Sequence, residues 1–173
     1  MTTLSQRTMN SPIGTLTIVA AADAIVEIWF DAAGNDADAQ RRTLSDQSEE
    51  IGAGEHAVLD LAVEQLDEYF HGRRTEFDLP LAPRGTPFQQ EAWRVLREIP
   101  FGETITYGEQ ARRLGDPNKS RAVGAANGKN PIPIVVPCHR VVGANGQLTG
   151  FGGGLETKAW LLDHEWRVRL TWG

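Results

Sequence analysis

The sequence predicts a protein of the α/β (α+β) class, with a small N-terminal α+β domain and a mostly helical C-terminal domain that carries a winged-helix-like helix-turn-helix. Three observations lead to this prediction: β-branched runs near the N-terminus, the stretch "APRGT" near the middle of the chain, and a series of well-capped helices after it. A chain of 173 residues is long enough for two small domains. We expect these domains at residues 1–81 and 87–173, joined by a linker at 82–86.

The N-terminal domain is predicted to contain strands and one helix. "SPIGTLTIVAA" and "AIVEIWFD" have the β-branched residues and the partial alternation of strands, and "TEFDLPL" is expected to be one more. The segment Ala32–Gly54 has neither helical nor strand periodicity and is expected to be a loop or poorly ordered. After it, "EHAVLDLAVEQLDEYFHG" predicts a helix that Gly72 ends, with one apolar face made of Val58, Leu61, Ala62, Leu66 and Tyr69.

The C-terminal domain is predicted to begin with a helix at Pro87. Thr86, Pro87 and Gln89 have the residue types of an N-cap, a first-turn proline and a capping-box partner. The motif "PFGE" ends this helix, whose core-facing residues are expected to be Phe88, Ala92, Trp93, Leu96 and Ile99.

Two shorter helices follow with the spacing of a helix-turn-helix. Thr106 and Glu109 predict a second capping box in front of "YGEQARRL", and Gly115 ends that helix. Asp116 and Pro117 then start "NKSRAVGAANG". A tight turn containing glycine between two short helices is typical of DNA-binding proteins.

The second helix of this pair is rich in small residues around Arg121. Small side chains let a helix approach another surface closely, with one long cation projecting from it. Tight packing against neighbouring helices also favours small residues, so the residues alone leave both explanations open. The small residues are Ala122, Gly124, Ala125, Ala126 and Gly128.

Charge is distributed unevenly along the chain. The net charge of −6 argues against nucleic-acid binding if the protein is treated as a uniform body. Residues 106–140, however, contain six basic and two acidic residues, which leaves −10 for the rest of the chain, where residues 20–60 hold ten acidic residues. This separation is compatible with a nucleic-acid surface, although on charge alone a solvated basic helix face is the simpler explanation.

The only cysteine, Cys138, lies in "IVVPCHRVVGANGQLTGFGGG". "IPIVV" predicts a short buried strand, and Pro137 ends its ladder, so that the chain bends and presents Cys138. A thiol nucleophile needs a base, a cation or a helix N-terminus beside it, and His139 and Arg140 follow directly. Adjacent residues need not face each other, so His139 requires a bridging water or a bent backbone to act on the thiol.

Two further segments complete the candidate site. Asn145 and Gly146 are a strong hairpin-turn signal, and "GFGGG" is a loop with unobstructed backbone N–H groups. "LETKAWLLDHEW" predicts a helix whose end carries His164 and Glu165, and a carboxylate there would orient His139. From residue types alone, a lone Cys–His pair is more often structural than catalytic. Two alternatives therefore remain: a helix-turn-helix DNA-binding protein, transcriptional or architectural, with a buried Cys138, and a turnover thiol hydrolase that uses Cys138, His139 and Glu165.

Three motifs together, "IPFGETITYGEQA", "RAVGAANGKNPIPIVV" and "PCHRVVGANGQLTGFGGG", strongly resemble the O6-alkylguanine-DNA alkyltransferases. The resemblance is dense from Gly85 to Glu165 and looser in the N-terminal half. It implies DNA repair by direct damage reversal, in which an alkyl group moves once and irreversibly from O6 of guanine, or O4 of thymine, to the protein's own cysteine. The implied partner is double-stranded DNA carrying O6-alkylguanine, bound through its minor groove, and no cofactor or metal is expected.

The resemblance also implies a role for each residue of the site. Cys138 would be the alkyl acceptor, His139 the base acting through water, and Glu165 the residue that orients His139. Asn130 would help to hold this network, and Tyr107 would donate a proton to the departing guanine and assist the rotation of the nucleotide. The base pocket would be lined by Pro133, Val136, Arg140, Val141, Phe151, Gly152 and Gly153.

DNA contacts are implied for the helix-turn-helix. Arg121 matches the finger that fills the gap left by an extruded nucleotide. The small-residue helix would lie in the minor groove, where readout is nearly blind to sequence. The implied contact residues are Thr106, Tyr107, Arg121, Ala122, Ala126, Asn127 and Gly128.

The chain departs from the family pattern in three respects. Phe151 stands where the family often has a tyrosine, and the chain offers neither the zinc-binding cysteines nor the cysteine-rich regulatory domain of some members. With one cysteine, no internal disulfide can form, and no signal peptide or membrane span is visible. We therefore expect a cytoplasmic protein without membrane association, monomeric in solution, with cooperative binding on DNA left open by the sequence.

Overall fold

The computed structural model describes residues 3–30, 47–151 and 154–172. The chain divides into two compact units, Met1–Pro83 and Arg84–Gly173. Within the described ranges, no helix has both the length and the apolar character needed to cross a membrane.

The described part of the N-terminal unit contains a four-stranded sheet with the order β3-β2-β1-β4. The strands are β1 (Leu4–Met9), β2 (Leu16–Ala21), β3 (Ala24–Phe30) and β4 (Glu49–Glu50). β2 is antiparallel to both of its neighbours, and β4 is parallel to β1. The predictions of β2 and β3 are confirmed, whereas β1 was not predicted, because its sequence LSQRTM has no apolar face. The predicted loop Ala32–Gly54 lies outside the described residues as far as residue 46, and its remainder contributes β4.

Helix α1 (Ala57–Phe70) forms as predicted and packs against the sheet, but its buried face differs from the predicted one. Gly72 ends the helix with a positive φ of 72°, and the Arg73 N–H donates to the Glu68 carbonyl at 2.8 Å. The expectation that Val58 and Leu61 lie on the buried face is wrong. Val58 is only half-buried in the first turn, and Leu61 is exposed because it lies about 100° around the helix from Ala62. The buried residues are Leu59, Ala62, Gln65, Leu66, Tyr69 and Phe70.

The predicted strand "TEFDLPL" does not form. The Gln65 side chain accepts from the Asp78 N–H at 2.8 Å and donates to the Asp78 carbonyl at 3.0 Å, which removes both groups from a ladder. Pro80 has no N–H to offer. What remains is one bridge to β3, in which Ile25 donates to the Pro80 carbonyl at 2.9 Å and accepts from Ala82 at 2.8 Å.

The C-terminal unit has the predicted order of helices. They are α2 (Pro87–Leu96), α3 (Tyr107–Arg113), α4 (Ser120–Gly128) and α5 (Leu155–Leu170), with single 3-10 turns at Pro117–Lys119 and Cys138–Arg140. A short parallel pair, β5 (Ile105–Thr106) and β6 (Val141–Val142), accompanies them. The Asn145–Gly146 turn forms, with the Gly146 N–H donating to the Gly143 carbonyl at 2.8 Å, but within the described ranges no strand returns to pair with β6.

Local capping explains where α2 and α3 begin. Thr86 and Gln89 form the predicted reciprocal capping box. Thr106 caps α3 through the Glu109 N–H at 3.1 Å, but the Glu109 carboxylate is bound to Arg112 and Arg113 instead of returning to the cap. Only half of the second predicted box is therefore present.

Buried polar contacts hold the helix-turn-helix together. The Trp93 indole N–H donates to the Ala126 carbonyl at 2.8 Å, which fixes α4 against α2. The side-chain amides of Gln110 and Asn127 bind each other twice, at 2.8 and 2.9 Å, and Gln110 also donates to the Ala92 carbonyl. The core of α2 is Ala92, Trp93, Val95 and Leu96, while the predicted core residue Phe88 is only half-buried.

Candidate active site

The cysteine follows a buried turn, where the sequence predicted a strand "IPIVV". The Asn130 side chain donates to the Val136 carbonyl at 2.8 Å and accepts from the Ile132 N–H at 3.0 Å. The Val136 N–H donates to the Ile132 carbonyl at 2.9 Å, and Ile134 has a φ of 73°, which β-branched residues rarely adopt. Because Asn130 and the turn itself use these backbone groups, the segment cannot pair as a strand.

Cys138 stands at the first position of the 3-10 turn that follows Pro137. It forms no disulfide, and the residue is 8% exposed. The Cys138 N–H donates to the Val136 carbonyl at 2.8 Å, and the Arg140 N–H donates to the Pro137 carbonyl at 3.0 Å. The backbone that carries the thiol is therefore held on both sides.

His139 is directed to Glu165 on α5. Its Nε2 lies 2.6 Å from Glu165 Oε2, and both side chains are almost completely buried. A carboxylate has no proton to donate, so Nε2 carries the hydrogen and neutral His139 has its lone pair on Nδ1. The Nδ1 atom is buried and has no hydrogen-bond partner among the residues that the structure describes. This nitrogen is the one that can accept a proton.

Glu165 receives three further donors. Arg140 donates from Nε to Oε1 at 2.8 Å and from Nη2 to Oε2 at 3.1 Å, and the Gly102 N–H donates to Oε1 at 3.0 Å. Arg140 Nη1 also donates to the Ile99 carbonyl at 2.7 Å. We expected Arg140 to line a base pocket, but the structure directs its guanidinium to Glu165, because a buried carboxylate requires a charged partner.

The electrostatics of this network keep the two partners in different charge states. Burial alone would raise the pKa of Glu165, but the contacts with His139 and Arg140 outweigh it and hold the pKa far below its ordinary range. Burial is the main reason that the pKa of His139 is lowered, and the positive charges of Arg140 and Lys158 act in the same direction, against the attraction of Glu165. At neutral pH the site therefore contains a carboxylate and a neutral imidazole.

Lys158 is a functional candidate that the sequence analysis missed. Its side chain is fully buried, and Nζ donates to the carbonyls of Val141 at 2.7 Å and Thr149 at 2.8 Å. Burial lowers its pKa, and the proximity of Cys138 partly opposes this. A signal was present in the sequence, because Lys158 and Glu165 are seven residues apart and so lie on the same face of α5.

Tyr107, at the start of α3, is tied to the segment after β6. Its hydroxyl donates to the Thr149 carbonyl at 3.1 Å and accepts from Thr149 Oγ1 at 3.2 Å. Lys158 Nζ lies 5.8 Å from the centre of its ring. A Cβ at Gly124 would be in ordinary contact with that ring, at 3.8 Å. Tyr107 thus connects the first helix of the helix-turn-helix to the lysine that is close to Cys138.

The small residues of α4 serve different purposes on its two faces. Val123, Ala126 and Asn127 are buried, so on this face the helix packs tightly against its neighbours. Arg121, Ala122 and Ala125 are exposed, which leaves a face of low bulk beside one long cation. We expected the Ala126 and Asn127 side chains to contact DNA, but both are turned inward, and the Asn127 amide is held by Gln110.

The remaining predicted residues are placed as follows. Pro133, Val136 and Val141 are buried, while Phe151 and Gly128 are half-buried. Thr106 is half-buried, and its hydroxyl is occupied as the cap of α3. Gly152 and Gly153 lie outside the described residues.

The fold and the site define a class: a helix-turn-helix protein whose C-terminal unit holds a cysteine outside any disulfide, next to a buried His–Glu–Arg network. Comparison with known protein families supports this class. Residues 87–167 match the 6-O-methylguanine DNA methyltransferase DNA-binding domain, and residues 4–83 match the ribonuclease-like domain of the same proteins. The chain belongs to the 6-O-methylguanine DNA methyltransferase family, which confirms the resemblance seen in the sequence.

Individual relatives match over almost the whole chain. A methylated-DNA--protein-cysteine methyltransferase of Mycolicibacterium paratuberculosis is 48% identical over 95% of this chain and 93% of its own length. The crystal structure of Mycobacterium tuberculosis O6-methylguanine methyltransferase superposes with a TM-score of 0.83 at 43% identity, covering 95% of this chain and 93% of that one. The Mycobacterium tuberculosis OGT crystallised in complex with DNA gives a TM-score of 0.82 at 43% identity, covering 95% and 94%.

Proposed function

We propose that this protein repairs DNA by direct damage reversal, moving an alkyl group from O6 of guanine in double-stranded DNA to Cys138. The observation that carries this proposal is the neutral His139 held by Glu165, directly after a cysteine that forms no disulfide, in a chain whose relatives are named methylated-DNA--protein-cysteine methyltransferases. The transfer is irreversible, so each protein molecule reacts once.

Activation of the thiol is assigned to His139. Its Nδ1 accepts the Cys138 proton through a water molecule, and Glu165 stabilises the imidazolium that forms. Lys158 adds a cation close to the thiol, and a neighbouring cation favours the thiolate, which is the nucleophile.

The transfer itself is a displacement at the alkyl carbon. The thiolate forms a carbon–sulfur bond while the bond between that carbon and guanine O6 breaks, and the electron pair of the broken bond goes to the base. The guanine anion then takes one proton, which we assign to the Tyr107 hydroxyl, and Tyr107 is reprotonated from solvent. Thiol and O6-alkylguanine thus become thioether and guanine.

DNA binding is assigned to the exposed face of α4. Reaching O6 requires extrusion of the nucleotide, which costs a few kcal/mol. Arg121 is exposed beside Ala122 and is suited to fill the gap in the stack, while small neighbours allow approach to the minor groove. The net positive charge of residues 106–140 favours phosphate contacts that weaken as salt rises. Ala126 and Asn127 then contribute to DNA binding indirectly, because their buried side chains hold α4 in position.

Intact-protein mass spectrometry tests this proposal. The full chain is mixed with a duplex carrying a single O6-methylguanine, and the expected product has one methyl group in place of one hydrogen, mapped to Cys138 by peptide analysis. Cys138→Ser and an undamaged duplex of the same sequence are the controls, and neither should give a mass change. With excess damaged duplex, one methyl per chain is the expected limit.

Two other outcomes would overturn the proposal in distinguishable ways. Tight DNA binding without any covalent change would indicate a helix-turn-helix regulator with a buried cysteine. Repeated turnover of an ester or peptide substrate, lost in Cys138→Ser, would indicate a thiol hydrolase.

We also propose that the protein acts in the cytoplasm, as a monomer before it meets DNA. Its single cysteine, which forms no disulfide, supports a reducing compartment. Sedimentation with and without undamaged duplex would test the monomer and would reveal cooperative assembly along DNA.

A further inference from the structure

The last turn of α5 contacts the turn that follows α2. Arg169 Nη1 donates to the Gly102 carbonyl at 3.1 Å. Gly102 has a φ of 78°, and a Cβ built on it would lie only 2.8 Å from Arg169 Cδ. The arginine stem therefore lies directly against the backbone of this turn, where only glycine fits.

Trp172 contacts the neighbouring residue of the same turn. Its indole stacks on the Phe101 ring, with ring centres 5.6 Å apart and planes inclined by 27°. The Arg140 guanidinium lies 5.7 Å from the centre of that ring. Phe101 thus links the end of α5 to the arginine that binds Glu165.

The same turn supplies a donor to the active site. The Gly102 N–H donates to Glu165 Oε1, the oxygen that Arg140 Nε also binds. Glu165 and Arg169 are four residues apart on α5, so one helix face binds Gly102 through both its N–H and its carbonyl. A displacement of this turn would weaken the donor set of Glu165.

We propose that Arg169 and Trp172 are positioning residues for alkyl transfer, which hold Phe101 and Gly102 so that the Gly102 N–H stays on Glu165 and Arg140 keeps its place. This inference rests on the proposed function of Cys138 and adds two residues that touch neither substrate nor the reacting atoms. Their effect reaches the thiol through Glu165 and His139.

The expected effect concerns the proton affinity of His139. The charged and titratable groups around this imidazole are Cys138, Arg140, Lys158 and Glu165. When Glu165 loses the Gly102 N–H, more of its negative charge is available to His139, which favours the imidazolium. The base is then protonated at a higher pH, so the acid limb of the rate profile moves upward in pH.

Single-turnover methyl transfer from an O6-methylguanine duplex, followed between pH 5 and 9 with the full chain, tests this role. We expect Arg169→Ala and Trp172→Ala to move the acid limb upward in pH and to slow transfer on that limb by about tenfold for each pH unit of movement, while the rate well above the limb changes little. Arg169→Lys, which keeps a donor, should recover most of the rate. Arg167→Ala is the matched control, because Arg167 lies on the same helix turn, is exposed like Arg169 and carries the same charge, but is paired with Asp163 instead of Gly102.

Each outcome either supports or overturns the positioning role of Arg169 and Trp172. The inference would be overturned if Arg169→Ala had the same rate and the same acid limb as Arg167→Ala. It would also be overturned if the rate fell while the acid limb did not move, because that result would indicate a general loss of structural order instead of an effect on His139. If Arg169→Ala does not fold, Arg169→Met gives the same comparison, because it keeps an unbranched stem against Gly102 and removes the donor to the Gly102 carbonyl. Failure of the unaltered chain to accept a methyl group would overturn the proposed function as well, and the two failures are distinguishable because only the latter appears without any substitution.

Discussion

The two units bury polar side chains very differently. Of the described residues in the N-terminal unit, Glu27 and Gln65 are the polar or charged side chains with less than a tenth of their surface exposed. The described C-terminal unit buries eight such residues: Gln110, Asn127, Asn130, His139, Arg140, Thr157, Lys158 and Glu165. A buried polar group lowers stability unless it is hydrogen-bonded, so their concentration in one unit requires an explanation.

Most of these buried groups fall into two sets with different tasks. The pair Gln110 and Asn127 holds the helix-turn-helix, while the set around Glu165 holds the backbone and charge state next to Cys138. The N-terminal unit stabilises itself through apolar burial in its sheet and helix, as a scaffold does. The difference supports the proposal that reactivity and DNA contact reside in the C-terminal unit.

The largest expected effect comes from a matched pair of buried carboxylates. Glu165→Gln should slow methyl transfer by about 100-fold or more, because the imidazolium of His139 loses its counter-charge. Glu27, which accepts from the Trp29 indole at 2.6 Å, is the control, and Glu27→Gln should leave the rate unchanged. Single-turnover kinetics on an O6-methylguanine duplex measures both, and equal losses in the two variants would contradict the division of tasks.

A matched pair of side-chain amides sharpens the comparison. Gln65 and Asn130 each bind two backbone groups and so fix a loop, at Asp78 in one unit and at Ile132 and Val136 in the other. Replacing either by alanine should lower the free energy of unfolding by about 1–3 kcal/mol, because buried backbone groups lose their partners. Denaturant titration measures this cost. Only Asn130→Ala should also slow methyl transfer, and a slow Gln65→Ala variant would argue against the comparison.

Methylation of Cys138 should destabilise the protein by about 1–3 kcal/mol, because an extra methyl group overpacks a buried site. For a chain of this size the melting temperature should fall by about 2–4 °C per kcal/mol. Calorimetry before and after one equivalent of damaged duplex, with the DNA removed, measures the shift. A melting temperature that does not change would show that the site accommodates the methyl group freely.

The smallest expected effect is an acid sensitivity that originates in His139. Its pKa in the folded protein lies below the ordinary 6.5, so the unfolded chain binds more protons and stability falls as the pH drops below that value. The slope can reach at most about 1.4 kcal/mol per pH unit. Glu165, whose folded pKa is depressed, adds a loss only below its ordinary 4.5. Denaturant titrations at pH 7 and 5.5 should show a smaller difference in unfolding free energy for His139→Gln than for the unaltered chain, and equal differences would contradict the assignment to His139.

The sequence predicted those elements whose ends are set by neighbouring residues. Thr86 with Gln89 starts α2, and Gly72 ends α1, because capping and positive φ depend on local chemistry. "TEFDLPL" and "IPIVV" have the composition of strands, yet Gln65 and Asn130 bind their backbones and make both of them loops. Residue propensities cannot predict this outcome, because it depends on where one side chain lies in the folded protein.

The candidate site was predicted unevenly for the same reason. Cys138, His139 and Glu165 were named from motifs that are continuous in sequence. The contributions of Lys158 and Gly102 depend on partners 17 and 63 residues away, which pattern analysis does not connect. Asn127 was assigned to the DNA contact from its helix, although its amide faces Gln110.

The turn in front of the cysteine has a consequence for lesion size. Residues 130–138 include Pro131, Pro133 and Pro137 and no glycine, so φ is fixed at three positions and no residue there moves easily into a new conformation. For the proposed alkyl transfer, we expect this side of the thiol to yield little to a larger alkyl group. Discrimination between small and bulky lesions would then fall to the residues that face the turn from the opposite side of the acceptor.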